Sequence, residues 1–482
     1  MKKLAFNPYL PCWEYVPDGE PHVFGDRLYV YGSHDAFSGH TFCQKDYTCW
    51  SAPVDDLSDW HCHGVIYRKD QDPMWDGQRC MYAPDVTCGP DGRYYLYYTL
   101  DFLSAVSVAV ADEPGGPYEY YGVVRDMDGH ILGQRDGDVF MYDPGVLTDE
   151  DGSVHLYTGV AAENSPLGDR LGPDLKRTLD GSYHYLLDSD MLTVLKAPVR
   201  VAPGWRLSRG TDWAEHPFFE ASSIRRIGDT YYFIWSTTHS HELAYATSGS
   251  PEGPFTYGGV LVSIGDIGMN GRTEDAQADN FLGTTHGSIV CVKSQWYVFY
   301  HRQSNDNQLS RQACAEKITI AADGSIAQAE VTSCGLNDGP LPGKGTYEAR
   351  IACNLSGKGG PVRYMPFLTE PTGQPYYTQD KPDGDESAVQ YITNLTDGSW
   401  CGFKYFAMEQ TASLKLQTRG SGEGFFRVSL TEKGQPIASV PVRPSEGWAE
   451  AEASFDPVTG TQPLYLTYEG SGQVDLLSIT LA

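Results

Sequence analysis

Arg93-Tyr-Tyr-Leu-Tyr-Tyr-Thr99 is built almost wholly of aromatic, aliphatic and β-branched residues, and it follows the turn pair Asp91-Gly92. The same kind of phrase recurs as Arg27-Leu-Tyr-Val-Tyr-Gly32 after Gly25-Asp26, Ser153-Val-His-Leu-Tyr-Thr158 after Asp151-Gly152, Thr230-Tyr-Tyr-Phe-Ile-Trp-Ser236 after Gly228-Asp229, and Gln295-Trp-Tyr-Val-Phe-Tyr-His301 after Lys293-Ser294. Period-2 runs that follow a turn pair, itself preceded by another apolar run, are hairpins. A second phrase repeats after some of them: Ala111-Asp-Glu-Pro-Gly-Gly-Pro-Tyr-Glu-Tyr-Tyr-Gly-Val123 matches Ser250-Pro-Glu-Gly-Pro-Phe-Thr-Tyr-Gly-Gly-Val260, with a looser copy at Asp56-Leu-Ser-Asp-Trp-His-Cys-His-Gly-Val65. A unit recurring every ~50 to 70 residues, made of strands that cannot bury both faces alone, is the mark of a propeller. Five copies predict an all-β chain that opens with a five-bladed β-propeller.

Composition agrees. The 482 residues are 12% aromatic and include 52 Gly and 30 Pro, as short strands between tight turns require. Thirty-five basic against 63 acidic residues leave a net charge of −28, which repels phosphate backbones and anionic lipid, so neither nucleic acid nor membrane is an expected partner. No run approaches the ~18 apolar residues of a membrane span. The N-terminus reaches Asn7-Pro8 before any apolar run of secretory length, and the 11 cysteines show no metal-ligand spacing. They read as reduced thiols of a cytoplasmic protein.

After Gln328 the texture changes. Asn337-Asp-Gly-Pro-Leu-Pro-Gly-Lys-Gly345 is a linker by composition, and beyond it come alternating runs such as Ala412-Ser-Leu-Lys-Leu-Gln-Thr418 and Gly424-Phe-Phe-Arg-Val-Ser-Leu430. The expected division is a propeller over 1–328, a linker over 329–344 and a jelly-roll-like β-sandwich over 345–482.

Three acids lie inside apolar or aromatic runs at the starts of blade hairpins: Asp18, Asp143 in Phe140-Met-Tyr-Asp-Pro144, and Glu220 in Pro217-Phe-Phe-Glu-Ala-Ser222. Blade starts point toward the propeller axis, and buried carboxylates are costly unless paired, so three converging there suggest tuned protonation. Asp35 and Asp85 read as turn caps.

These phrases, in order, resemble glycoside hydrolase family 43. Asn7-Pro8 with Asp18 and the strand from Arg27, Tyr82-Ala-Pro-Asp85, Tyr142-Asp143-Pro144, Phe219-Glu220-Ala-Ser222, Gly283-Thr-Thr-His286 and Leu309-Ser-Arg311 carry the likeness, with Gly19 after Asp18 and Ala221 in place of the family's glycine as departures. The C-terminal part is similar to family 6 carbohydrate-binding modules through Gly402-Phe-Lys-Tyr-Phe406 and Gly470-Ser-Gly-Gln473. The first resemblance implies an inverting exo-glycosidase that releases terminal α-L-arabinofuranosyl or β-D-xylosyl groups from small plant-derived oligosaccharides. It implies Asp18 as general base, with Glu20 as the alternative because of Gly19, Glu220 as general acid and Asp143 as the group that raises the pKa of Glu220. Arg311 would bind sugar hydroxyls; His286 would hold a water or ligate a structural Ca²⁺, with no cofactor required. Tyr82, Trp50 and Trp235 are candidates for stacking on the sugar, and His34 and His301 are lesser candidates as pocket residues. A galactose or galactofuranose glycosidase of the same fold and a non-catalytic sugar-binding propeller are the alternatives.

Overall fold

The computed structural model describes residues 5–171, 175–361 and 373–482; Met1–Leu4, on which part of the leader reading rests, lie outside the described residues. Five antiparallel sheets follow one another along the chain. Blade 1 comprises Glu20–Phe24, Arg27–Tyr31, Tyr47–Pro53 and His61–Tyr67; blade 2 Asp85–Cys88, Tyr94–Thr99, Val106–Ala111 and Glu119–Val123; blade 3 Gly145–Thr148, Val154–Ala161, Asp180–Leu187 and Val199–Pro203. Blade 4 comprises Phe218–Ile227, Thr230–Thr237, Glu242–Ser248 and Thr256–Ser263, and blade 5 Ile289–Val292, Gln295–Ser304 and Ser310–Ile318.

The tyrosine-rich phrases are the second strands of the blades, and alternate residues of each enter opposite gaps. Leu96 and Tyr98 pack with Tyr29, Tyr31 and Tyr67 between blades 1 and 2. Tyr95 and Tyr97 pack with Val146, Leu156 and Tyr185 between blades 2 and 3. Phe233 and Trp235 join Tyr157 on one side of blade 4, while Tyr232 and Ile234 join Val298 and Tyr300 on the other. Both faces are buried, so the strands carry no polar alternation, and each large side chain withdrawn from water contributes roughly 1.5–3 kcal/mol.

The first strands lie so close to one another that side chains must be omitted. A Cβ on Gly145 would sit 2.4 Å from the carbonyl oxygen of Ser222 in the next blade, and Gly19 bridges Gly287 in parallel across the seam between blades 1 and 5. The ring is closed at its outer edge by the N-terminal segment. Tyr9 N–H donates to Ala313 O (3.3 Å), and the Asn7 amide exchanges bonds with Ala315, its Nδ2 donating to Ala315 O (2.9 Å) and its Oδ1 accepting Ala315 N–H (2.9 Å). That segment takes the place of blade 5's fourth strand.

Among the described residues, the C-terminal strands form a ten-stranded sheet, dominated by the long strands Trp400–Gly420 and Ser445–Ser471, that encloses a core of Leu, Phe, Val and Ile side chains such as Phe403, Leu414, Leu464 and Ile479. The segment read as a linker is not a tether. Ala329 bridges Val262 of blade 4, and Leu341 is fully buried in the sandwich core, where it pairs with Phe406.

Asn7→Ala removes the clasp and strands the buried N–H and carbonyl oxygen of Ala315. It is expected to lower stability by about 3 kcal/mol, read as an earlier first transition in urea unfolding.

Candidate active site

The residue just before or at the start of the first strand of each blade turns toward the axis, and together these positions build a pocket: Asp18, Tyr82 with Ala83, Asp143, Glu220 and His286. Arg311 and the apolar side chains of Phe42, Tyr142 and Phe219 complete it, with Leu167 and Leu171 from the short helix Pro166–Leu171 at its side. The cavity measures about 130 Å³, well under the roughly 300–1,000 Å³ typical of sites for drug-sized ligands.

Asp18 is buried in the left-handed backbone region (φ 57°), which points its carboxylate at Arg311. Its Oδ1 accepts from Arg311 Nη1 (3.0 Å), Ser33 Oγ donates to its Oδ2, and its backbone N–H donates to Nδ1 of the buried His301 (3.1 Å). Burial would push the Asp18 carboxyl up, but the Arg311 guanidinium, with His286 and Ser33, holds it below the ordinary carboxylate range. Burial pushes His301 down to about 3, so it is a neutral ring able to accept that N–H.

Arg311 is itself fixed by Asp35: Nε reaches Oδ2 (2.8 Å), Nη2 reaches Oδ1 (3.0 Å), and the Arg311 backbone N–H adds a third bond to Oδ2 (3.0 Å). Nη2 also donates to Cys43 Sγ (3.4 Å) and the guanidinium lies 4.7 Å above the Phe42 ring. Of the five N–H donors of an arginine side chain, this leaves one on Nη1 for a ligand.

On the opposite wall the pairing of Phe218–Ile227 with Thr230–Thr237 slips register on both sides of Glu220. Such bulges re-aim a side chain. Ala221 beside it has φ 67°, a conformation in which glycine is at ease, and its N–H donates to Asp143 Oδ2 (3.2 Å). Glu220 and Asp143 thus share one buried corner. Burial, and then the charge of Asp143, push the Glu220 carboxyl far above its ordinary range; burial also raises Asp143, but the charge of His286 and then the Ala221 N–H pull it back below Glu220, so Asp143 is the first of the pair to ionise.

Beneath the pocket, Glu20 Oε2 accepts from Arg225 Nη2 (2.6 Å) and Ser223 Oγ (3.1 Å), and His286 Nε2 lies 3.5 Å from its other oxygen. Burial opposes a charge on His286, yet contact with Glu20 and the charges of Asp143 and Asp18 push it up to about 9. A protonated imidazole has no lone pair for a metal on that nitrogen. The donor atoms of Glu20, His22 and Asp85 do gather within 4.8 Å of one another, but Arg225 sits among them, 3.5 Å from His22 Nε2, and Asp85 is engaged by His22 (2.7 Å) and the backbone N–H groups of Val86 and Val146 (both 2.8 Å). Calcium needs six to eight oxygens, and a guanidinium already supplies the positive charge here; the residues do not fit that ion.

Several expectations are corrected by these placements. Trp50 and Trp235 do not reach the pocket: Trp50 packs between blades 5 and 1 with Nε1 on Glu14 Oε2 (3.0 Å), and Trp235 is stacked on Trp213 (4.6 Å) between blades 3 and 4. Both are second- or third-strand residues, whose side chains fill gaps between blades. His34 is tied to Glu14 (2.8 Å) outside the pocket, and Glu20 lies below it in an ion pair. Asp35 and Asp85, read as turn caps, are fully buried tethers. A run such as Gly32-Ser-His-Asp35 at the end of a fully buried strand was the available signal, since a carboxylate there needs a cation. Phe42, Cys43 and the short helix carry no periodic signal.

Residues 15–326 match the glycosyl hydrolases family 43. The chain belongs to that family. A "Xylosidase/arabinosidase" of Thermoclostridium stercorarium is 49% identical over 100% of this chain and 99% of its own length, and one of Bacteroides ovatus is 32% identical over 61% of this chain and 87% of its own. A family 43 β-xylosidase/α-arabinofuranosidase from a compost microbial metagenome, solved with xylotriose in a calcium-free form, superposes with a TM-score of 0.53 at 26% identity, covering 68% of this chain and 98% of that one. An arabinoxylan arabinofuranohydrolase from Bacillus subtilis, at 21% identity and TM-score 0.50, shares the fold over 99% of this chain and 97% of its own. This family 43 protein is a glycoside hydrolase, a five-bladed propeller with a β-sandwich after it.

Arg311→Met would leave Asp18 and Asp35 as uncompensated buried charges, at an expected cost of about 3–5 kcal/mol at pH 7. Their folded pKa values would then exceed the unfolded ones, so the folded variant binds the extra protons and regains stability as pH falls. Urea midpoints of variant and wild type should converge between pH 7 and pH 4.5.

Proposed function

We propose that Asp18 is the general base, Glu220 the general acid and Asp143 the anion that keeps Glu220 protonated, in hydrolysis that releases a terminal β-D-xylosyl or α-L-arabinofuranosyl group from a small oligosaccharide. The observation that carries this reading is one pocket at the propeller axis holding two oppositely tuned carboxyl groups, an ionised one bound to Arg311 and a protonated one beside Asp143. Inversion needs such a pair roughly 6.5 to 9.5 Å apart, with a water between base and sugar. Glu220 gives its proton to the glycosidic oxygen as the C1–O bond breaks. Asp18 takes a proton from the water whose oxygen bonds to C1 from the opposite face. In this reading the remaining Nη1 hydrogen of Arg311 and the phenolic ring of Tyr82 orient the sugar, and His286 offsets the negative charge of Asp143 and Asp18 from below.

The relatives support a pentose: two of them, 49% and 32% identical, are named for xylose and arabinose. The reaction consumes no cofactor; the cations beneath the pocket, Arg225 and His286, balance the charge of the carboxylates around them.

Aryl β-D-xyloside, α-L-arabinofuranoside and β-D-galactofuranoside, with xylobiose as the poor-leaving-group substrate, test this directly. The wild type should cleave at least one pentoside with the inverted anomer formed first. Glu220→Gln and Asp18→Asn should each lower kcat on xylobiose by about 10²–10⁴. Cleavage of the galactofuranoside alone, or variants within tenfold of wild type, would contradict the assignment.

A further inference from the structure

The pocket wall between blades 1 and 5 is the loop 36–45, which supplies Phe42 and Cys43. Its backbone is strained: Ser38 (φ 56°) and Cys43 (φ 57°) are both left-handed without being glycine, a conformation that costs roughly 1–2 kcal/mol per residue and persists only where neighbours impose it. The loop has two sets of ties. The inner set belongs to the propeller: Asp35 Oδ1 accepts the Cys43 N–H (2.9 Å), and Ser310 Oγ donates to Ala36 O (3.0 Å) and accepts the Ser38 N–H (3.1 Å).

The outer set comes from the C-terminal domain. Asp383 accepts the Phe37 N–H on Oδ1 (2.8 Å) and pairs with Lys45 Nζ through Oδ2 (3.3 Å), so one carboxylate joins both ends of the loop. Asp383 is in turn held by its own domain. Gln379, at the end of the strand Tyr376–Gln379, donates from Nε2 to the carbonyls of Lys381 (2.9 Å) and Pro382 (3.1 Å), and its Oε1 accepts from the hydroxyl of Tyr15 (2.7 Å), whose ring stacks on Phe37 at 5.8 Å. Tyr377 O accepts the Asn305 N–H (2.7 Å), and Asn305 Nδ2 donates to Ser38 Oγ (3.0 Å).

We propose that the C-terminal sandwich is part of the sugar-recognition machinery, with Asp383 as a positioning residue that fixes loop 36–45 and, through Phe42 and Cys43, the Arg311 side of the pocket. The proposal deepens the glycosidase reading and rests on it for the sugar. Asp383 touches no reacting atom. Its effect passes through Phe42, the platform beneath the Arg311 guanidinium, and through Cys43 Sγ, which accepts from Nη2. Loosening the loop therefore weakens sugar binding while leaving the carboxyl groups that perform the chemistry in place.

Full-length Asp383→Ala and Asp383→Asn, with Lys45→Met as a milder cut of the ion pair alone, separate this role from a merely structural one. For Asp383→Ala the KM for the aryl pentoside and the dissociation constant for the free pentose should rise together, about 3- to 10-fold, with kcat within twofold and the pH profile unmoved. Asp383→Asn, which keeps an acceptor for Phe37, should fall between it and wild type, and Lys45→Met should move the same way by less. Amide exchange read by mass spectrometry needs no substrate: loop 36–45 should exchange faster in Asp383→Ala while the blade strands keep wild-type rates. Unchanged exchange in the loop overturns the proposal whichever sugar the enzyme takes. So do wild-type KM and sugar affinity, or changes confined to kcat. Failure of the wild type on every pentoside would instead count against the substrate reading, with the exchange result still deciding the role of Asp383.

Discussion

One guanidinium shared between two buried carboxylates is the interaction on which this site depends. Arg311 stands on the third strand of blade 5 and reaches across the seam to Asp18 and Asp35 of blade 1. A buried ion network of this kind contributes little net stability, because desolvation offsets most of the attraction. Its consequence is positional and electrostatic. It holds Asp18 ionised in a place where a lone carboxylate would be neutral, and it closes the ring at the level of the pocket as the Asn7 clasp closes it at the outer edge.

The rest of the electrostatics follows from that fixed charge. With Asp18 ionised, a second and a third carboxyl group at the same axis cannot both ionise cheaply. Asp143 ionises before Glu220, helped by the charge of His286 and by the Ala221 N–H, and Glu220 retains the proton. His286 and Arg225 sit below as counter-charges, which is why three acids can meet there at all. The propeller supplies the geometry because the first strand of every blade begins at the axis, so residues distant in the chain arrive at one point with no dedicated scaffold.

Much of this was legible in the sequence. Strands buried on both faces, each announced by a turn pair and repeated without intervening helices, identify the blades because a radial array of hairpins buries Tyr95 and Leu96 on opposite sides. The acids stand out because a carboxyl group within Phe-Met-Tyr or Phe-Phe has no solvent to face. What could not be read is what depends on contacts between blades. Trp50 and Trp235 resemble sugar platforms in composition, and only their places on interior strands show that they fill gaps. Asp35 looked like a turn cap because its partner lies 276 residues away. Leu341 looked like linker because burial of a single leucine between prolines leaves no period.

The central claim is that Asp143 keeps Glu220 protonated, and it is tested most directly by following the Glu220 carboxyl carbon by NMR in protein carrying carbon-13 at its glutamate carboxyl groups, with Glu220→Gln assigning the resonance. The account predicts that Glu220 titrates well above the ordinary glutamate range in the wild type and moves down toward that range in Asp143→Asn, where the like charge is gone. A Glu220 that ionises along with the surface glutamates, or whose titration ignores the replacement of Asp143, would contradict it.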